Sequence, residues 1–528
     1  MVTKIISVCL FIFIFSNIVH VSEMLLLGTN RKPAFYKAAV FEHAVIFPEK
    51  RASSYDEAVS QMFPNLDEYK RQADIAGTLG VDIIVFPEDG LYGYIFRSPS
   101  DIENYLEYIP DPSQVDWTPC TEPSKYERTK IQTFLSCLAK NNSIYLVANY
   151  GDKQPCQKTD PSCPKNGHYQ YNTNIVFDRN GKLIARYHKQ NLYFEKQFNT
   201  PTTPEFIYFD TEFGRFGTFT CFDILFYDPA IPLIETYNVT DIVFPTAWMD
   251  ALPFLSAIGY HSSFAVAYNV NFLSANLHQP TRRFQGSGIH TPEGTLAFYY
   301  NRSSPDGRLL VKEVPILMNN SRRFEKKKVT LDTSDMQFIQ RHEFQGRVFK
   351  DKYNFVSLRS KVGNVTVCQA DLCCYLSYNR VEVTGNYAFG VFSGVHHGAH
   401  RPYYLQVCIL LECGSDNVTD CYHFTFLANG YFNNITIKGN FSTPYVTPQV
   451  VTTNNGTLEL LPSHALKFNE RGLTFKSNLT PLLEASLVGR IYERDSVSNQ
   501  TPNFAKSIVA SIQAFYKAMI FLAMVLSR

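Results

Sequence analysis

A layered α/β domain followed by a smaller, β-rich, disulfide-stapled domain is the fold class that this sequence predicts. Three observations predict it. From about Lys37 to Glu313, strand-like and helix-like segments alternate. After about Asn319, short aromatic and β-branched runs alternate with Gly, Asn and Pro turns. Half of the twelve cysteines lie in that second stretch. A chain of 528 residues is also too long for one ordinary core.

The elements follow in order. Lys37 to Phe41 opens as a strand. Ser54 to Gly80 reads as a helix, with Met62, Leu66, Tyr69, Ala73, Ala76 and Leu79 near one face and Pro64 expected to kink it. The apolar run Val81 to Phe86 is a buried strand. Ile131 to Lys140 is a short helix and Ser143 to Asn149 a strand. Asn174 to Phe177 and Leu183 to Tyr187 form a hairpin around Asn180-Gly181, where Gly supplies the positive φ of a tight turn. Phe216 to Phe222 and Asp241 to Pro245 are further strands, with a helix near Pro229 to Thr236 between them. Leu255 to Asn269 is helical and Asn271 to Asn276 a strand. Arg322 to Lys328 is a charged linker, and Arg347 to Asp495 carries the β-rich pattern.

Both ends carry export signals. Lys4 precedes a mostly apolar run from Ile5 to Ile18, and Ser22 ends a signal peptide over residues 1–22; the run is short for a membrane span. Asn-x-Ser/Thr sequons occur at Asn141, Asn238, Asn301, Asn319, Asn364, Asn417, Asn434, Asn440, Asn455, Asn478 and Asn499. In residues 496–528, small residues (Ser496, Ser498, Asn499) precede a polar spacer and the largely apolar Ile508 to Leu526. This tail is read as a GPI-attachment signal. Lys517 interrupts it and Arg528 ends it, so an amphipathic surface helix and a plain tail stay open.

Net charge is +1, with 45% hydrophobic and 18% charged residues. That balance suits a packed protein and offers no footing for nucleic acid. Removing Cys9 (in the signal) and Cys221 from the twelve cysteines leaves ten, enough for up to five disulfides in an oxidising compartment. Cys156 and Cys163 look like a short closed loop. Cys373-Cys374 lacks the His–Cys spacing of a zinc site. His396-His397 and His400 are read as an exposed glycine-rich loop ahead of a metal site, and His290 as a turn residue.

Cys221 stands apart. It sits between two apolar runs, with no other cysteine within fifty residues. Glu88 and Lys189 also lie at strand ends upstream. A thiol, a carboxylate and an ammonium are what thiol-based amide hydrolysis needs. The thiolate attacks, a base carries the proton to the leaving amine, and a cation with N–H donors holds the oxyanion. Cys221 suits the nucleophile, Glu88 the base, and Lys189 the oxyanion, with the Phe222 backbone N–H. Singly, each has a plain structural explanation: a packed thiol, a helix cap, a solvated turn. Trp248 lines a pocket or sits in the core.

The words around these residues resemble one family. Phe86-Pro-Glu-Asp89, Tyr187-His-Lys-Gln-Asn-Leu192 and Phe219-Thr-Cys-Phe-Asp-Ile-Leu-Phe226 are similar to the nitrilase (carbon–nitrogen hydrolase) superfamily, most closely its vanin/biotinidase branch. Tyr169 to Asn174, Phe244 to Met249, Gly286 to Ile289 and Cys373 to Tyr378 extend the resemblance over nearly the whole mature chain. It implies an αββα-sandwich nitrilase domain over residues 33–318, a linker at 319–346 and a vanin-type C-terminal domain at 347–495. It also implies a Glu88–Lys189–Cys221 triad, a small-molecule amide substrate, and no cofactor or metal. The branch holds pantetheinases and biotinidases. Tyr193-Phe-Glu195, Gly286 to Pro292 and Gly489 to Asp495 look closer to biotinidase, with Tyr193 a candidate pocket residue. Gly346 to Leu358 and the tail look closer to vanins, so pantetheine hydrolysis is favoured over biotin release. A reading of another class is a secreted binding or adhesion glycoprotein without turnover.

Overall fold

The computed structural model describes residues 34–157, 159–317, 328–331, 342–397, 401–413, 421 and 426–495. The signal segment, the tail, most of the linker, His400 and the sequons at Asn319, Asn417 and Asn499 lie outside the described residues.

The first domain begins with β1 (Phe35–Glu42). Its residues alternate between two cores: Tyr36, Ala38 and Val40 join one, Ala39 and Phe41 the other. A strand buried on both faces therefore reads as a continuous apolar run. Helix α1 (Tyr55–Thr78) starts where the Ser54 hydroxyl accepts the Glu57 N–H at 3.2 Å, with Asp56 and Glu57 favourable in the first turn. It buries Met62, Leu66, Tyr69, Ala73 and Ala76 at helical spacing. The helix continues through Pro64, and Leu79 is an exposed C-cap rather than part of the apolar face.

The chain goes on through β2 (Ile83–Val85), α2 (Lys130–Asn142), β3 (Tyr145–Pro155), β4 (His168–Phe177), β5 (Leu183–His188), β6 (Tyr208–Thr211) and β7 (Gly214–Thr218). After these come α3 (Ala230–Glu235), β8 (Asp241–Pro245), α4 (Ala257–Tyr268), β9 (Asn271–Ala275), β10 (Ser287–Thr291), β11 (Gly294–Tyr299) and β12 (Arg308–Pro315). They form two six-stranded sheets of matching layout, β12-β1-β2-β3-β4-β5 and β11-β10-β9-β8-β7-β6. In each, three parallel strands are flanked by antiparallel ones. One core lies between the sheets, with Val40, Val85, Val147, Phe216, Val243 and Leu273. A second packs α1 and α2 onto the outer face of the first sheet. The layers are helices, sheet, sheet, helices.

His290 is not a turn residue. It is fully buried on β10, its Nδ1 2.8 Å from the Thr295 hydroxyl.

The second domain is a β-sandwich. Its strands are β13 (Phe344–Val348), β14 (Asp351–Ser357), β15 (Val362–Gln369), β16 (Leu372–Arg380), β17 (Tyr387–His396) and β18 (Tyr403–Glu412), then β19 (Phe432–Gly439), β20 (Val446–Asn454), β21 (Thr457–Leu460), β22 (Leu466–Asn469), β23 (Gly472–Ser477) and β24 (Leu482–Arg490). Sheet β13-β14-β17-β18-β24-β20-β21 faces β15-β16-β19-β23-β22. The ten cysteines pair as Cys120–Cys137, Cys156–Cys163, Cys368–Cys373, Cys374–Cys408 and Cys413–Cys421. Cys374–Cys408 joins β16 to β18 and so ties one sheet to the other; Cys373 and Cys374 bind no metal because both sulfurs are bonded.

Alternation along β18 fixes how the domains meet. Cys408 and Leu410 face the sandwich interior. Tyr403, Leu405, Val407, Ile409 and Leu411 face the first domain, in one apolar cluster with Phe226, Phe254, Tyr260 and Phe264. Each fully buried side chain of this size contributes about 1.5–3 kcal/mol. The seven-stranded sheet thus replaces solvent over the outer helical layer of the first domain.

Among described sequons, Asn141, Asn364, Asn434, Asn440, Asn455 and Asn478 are exposed, and Asn238 and Asn301 half-buried. No described helix is long and apolar enough to cross a membrane.

Candidate active site

Glu88, Lys189 and Cys221 come together because of strand direction. β2 and β3 are parallel, and two antiparallel steps through β4 return β5 to the same direction. The carboxyl ends of β2 and β5 therefore emerge on one edge, with Glu88 just past the first and Lys189 directly after the second. β7 and β8 of the other sheet bring Cys221 and Trp248 to the same place. All four line one cavity of ≈ 440 Å³. Carboxyl ends of parallel strands are the usual address for a ligand in such sheets.

The predicted strand Phe216 to Phe222 stops at Thr218. Cys221–Leu225 is instead a tight 3-10 turn, and Cys221 has φ 47°, a left-handed conformation uncommon for a residue with a side chain. The turn is held by Asp223, whose carboxylate accepts from Tyr187 Oη (2.6 Å), Asn191 N (2.7 Å) and Thr220 N (3.1 Å). Early in such a turn, the Phe222 N–H has no intrahelical carbonyl to bond. Cys221 is the single cysteine without a disulfide among the described residues, and it is buried.

The charges form a tight cluster. Lys189 Nζ donates to Glu88 Oε1 at 2.6 Å and lies 2.8 Å from Glu195 Oε2. Asn172 Nδ2 donates to both carboxylates, at 2.8 and 2.6 Å, and the Ala247 N–H donates to Glu88 Oε2 at 2.8 Å. The side chains of Lys189 and Glu88 are 1% and 2% exposed, so these interactions act with little screening. Burial alone would lower the Lys189 pKa, but the Glu195 and Glu88 carboxylates outweigh it and hold the ammonium well above its ordinary value. Burial, opposed by Lys189 and reinforced by Glu88, raises Glu195. Burial, then the Glu88 charge, pushes the Cys221 thiol up, against Lys189. Both effects favour the neutral thiol over the thiolate. Asp89 is also raised, by burial and its carboxylate neighbours. Glu88, Asp89 and Glu195 bring carboxylate oxygens within 4.8 Å of one another. Lys189 Nζ lies against two of the three, Glu88 and Glu195.

Glu195 is the residue that sequence reasoning missed. It stood only inside the word Tyr193-Phe-Glu195, and a signal existed: a second carboxylate six residues after the lysine, on the same loop. Tyr193 and Trp248 both line the cavity. Trp248 is at once wall and core: its Nε1–H donates to the Leu255 carbonyl at 2.9 Å, leaving the ring to the cavity.

The second domain reaches the site in two ways. Arg490 Nε donates to the Leu225 carbonyl at 2.8 Å, holding the end of the turn that carries Cys221, and Arg401 donates to Asn191 Oδ1 at 2.9 Å, behind Asp223. Phe349, His396 and Tyr403 line the cavity itself. His396 is buried at the end of β17, not in an exposed loop; exposure begins at His397.

The arrangement can acylate a thiol and hydrolyse the product. The carbon-nitrogen hydrolase family matches residues 45–248, and the vanin C-terminal domain matches residues 342–495. The chain is 46% identical to the pantetheinase of Mus musculus, covering 89% of this chain and 91% of that one. It is 45% identical to the pantetheinase of Homo sapiens, covering 88% and 90%. It is 40% identical to the biotinidase of Mus musculus, covering 88% and 94%.

Proposed function

Because the chain belongs to the carbon–nitrogen hydrolases that carry a vanin C-terminal domain, we propose that it cleaves pantetheine to pantothenate and cysteamine. It is a hydrolase of carbon–nitrogen bonds other than peptide bonds. What carries the reading is the juxtaposition of one unpaired, buried thiol with a buried Lys189 shared by two carboxylates.

Cys221 Sγ attacks the amide carbonyl carbon while its proton passes to Glu88. The carbonyl oxygen takes up the negative charge and is stabilised by Lys189 and the Phe222 N–H. Glu88 then protonates the amide nitrogen, the carbon–nitrogen bond breaks, and the amine leaves a thioester. Water loses a proton to Glu88, attacks the thioester, and the proton returns to Sγ as the acid departs. Glu195 holds Lys189 as a second carboxylate beside Glu88.

The site pattern does not distinguish pantetheine from a biotinyl amide; greater identity to the pantetheinases, over most of the chain, supports pantetheine. The disulfides fit an extracellular or cell-surface protein. Release of the leader 1–22, attachment of a GPI anchor through residues 496–528 and glycans on the exposed sequons are part of the same proposal. The test is hydrolysis of pantetheine and biocytin side by side, with Cys221→Ala as control. Preference for pantetheine that disappears in the variant supports the reading. Preference for biocytin replaces it with biotin release, and activity that survives in the variant refutes thiol catalysis.

A further inference from the structure

The catalytic cluster treats one secondary amide like another, so selection falls to the cavity walls. Much of the wall near Cys221 is apolar: Phe222, Leu225, Trp248 and Leu255. The wall given by the second domain has polar tips. His396 Nδ1 lies 2.5 Å from Asp351 Oδ2, and the two side chains are 3% and 2% exposed. A carboxylate only accepts, so it fixes the imidazole with its proton on Nδ1. The His397 N–H approaches the other Asp351 oxygen at 3.5 Å. Nε2 makes no hydrogen bond to any described residue. Beside it, 5.0 Å between ring centroids, stands Tyr403, which lines the same cavity and whose buried hydroxyl has no partner among the described residues. Phe349 packs edge-on to His396 at 5.4 Å, limiting ring rotation.

We infer that His396, oriented by Asp351 and packed beside the Tyr403 ring, is a specificity-determining residue: its Nε2 accepts from a hydrogen-bond donor on the acyl chain of the substrate. This rests on the amide-hydrolase reading above. The cysteamine half of pantetheine carries two carbons and a thiol. The acyl half carries two hydroxyls and a second amide, so a wall set with acceptors matches the acyl side. In this arrangement the second domain completes the binding pocket instead of only covering the first.

The experiment compares wild type, His396→Ala, His396→Gln and Asp351→Asn on pantetheine and on butyryl-cysteamine, which has the same scissile bond and no acyl hydroxyl. The alkylation rate of Cys221 by iodoacetamide, and the pantothenate concentration that half-protects against it, are measured alongside. His396→Ala lowers kcat/KM on pantetheine by about 10-fold or more, the cost of one hydrogen bond with a partner left unsatisfied. The same variant weakens pantothenate protection similarly and leaves butyryl-cysteamine hydrolysis and alkylation within about 3-fold. His396→Gln recovers part of the loss, and Asp351→Asn falls between. Equal losses on both amides, a matching fall in alkylation, or no loss at all overturns the inference while wild-type pantetheine turnover still stands. Failure of the wild type on pantetheine refutes the substrate instead. The comparison then passes to biocytin, with biotin as protectant, where an unchanged His396→Ala overturns this inference separately; failure on both overturns both.

Discussion

Replacing Glu195 with Gln removes one charge from the site while keeping its shape. Glu195 lies 2.8 Å from Lys189 Nζ with its side chain 10% exposed. At an effective dielectric of about 20, that separation corresponds to a gross attraction of about 6 kcal/mol. Most of it is not lost, because Gln still offers a carbonyl oxygen and Glu88 remains bound to the same ammonium. Exchanging a charged for a neutral hydrogen bond and loosening the lysine leaves about 2–4 kcal/mol of lost oxyanion stabilisation. That corresponds to a fall in kcat of about 30- to 1000-fold. Alkylation of Cys221 should move the other way. Glu195 is among the charges that raise the thiol, so Glu195→Gln lowers its pKa and speeds reaction with iodoacetamide at a fixed pH. Steady-state hydrolysis and alkylation rates on the same preparation, with a thermal melt to establish folding, make the assay. Hydrolysis within 3-fold of wild type, or alkylation that slows along with it, would refute the electrostatic account.

Further outcomes follow from other contacts. Glu484 on β24 is buried and burial raises it to about 8, with Ser486 opposing. Its folded pKa exceeds an unfolded value of about 4.3, so the contribution of Glu484 to stability is least unfavourable below pH ~4 and worsens by about 5 kcal/mol as pH rises to ~8. Glu484→Gln should therefore match wild type near pH 4 and melt higher at pH 8; equal melting temperatures at both would contradict the burial argument. Cys374–Cys408 closes a separation of 34 residues, so the double Ser variant should lose about 4 kcal/mol of stability, read by denaturant unfolding. Arg490→Met takes the side-chain donor from the Leu225 carbonyl and the guanidinium from Asp495, which keeps only the Tyr404 N–H. It should cost about 3 kcal/mol and also lower kcat, a loss that Arg490→Lys only partly restores; stability lost without any kcat effect would separate Arg490 from the nucleophile's turn.

The parts of the fold that local pattern reveals were readable in advance. The helical spacing Met62–Leu66–Tyr69–Ala73–Ala76 and the alternation of buried strands with turns such as Asn180-Gly181 follow from periods of 3.6 and 2. Cys221, Glu88 and Lys189 could be singled out because each is an isolated ionisable group at a strand end. Periodicity misled where a strand ended: Phe216 to Phe222 is rich in aromatic and β-branched residues, yet the chain leaves the sheet at Thr218, where Asp223 collects three donors and holds the turn. His290 and His396 looked like loop residues beside glycine, but both sit at or near strand ends buried by neighbours far away in the chain.

By itself, the sequence determined which chemistry is available and that the thiol stands alone, since residue type and spacing are local properties. Only the tertiary structure decided that Glu195 shares the lysine, that His396 faces the cavity, and that β18 is buried on both sides. Placing these groups in one site depends on contacts between residues far apart in the chain, such as Arg490 with Leu225 and Lys189 with Glu88. Strand order and domain packing set such contacts, and no local period encodes them.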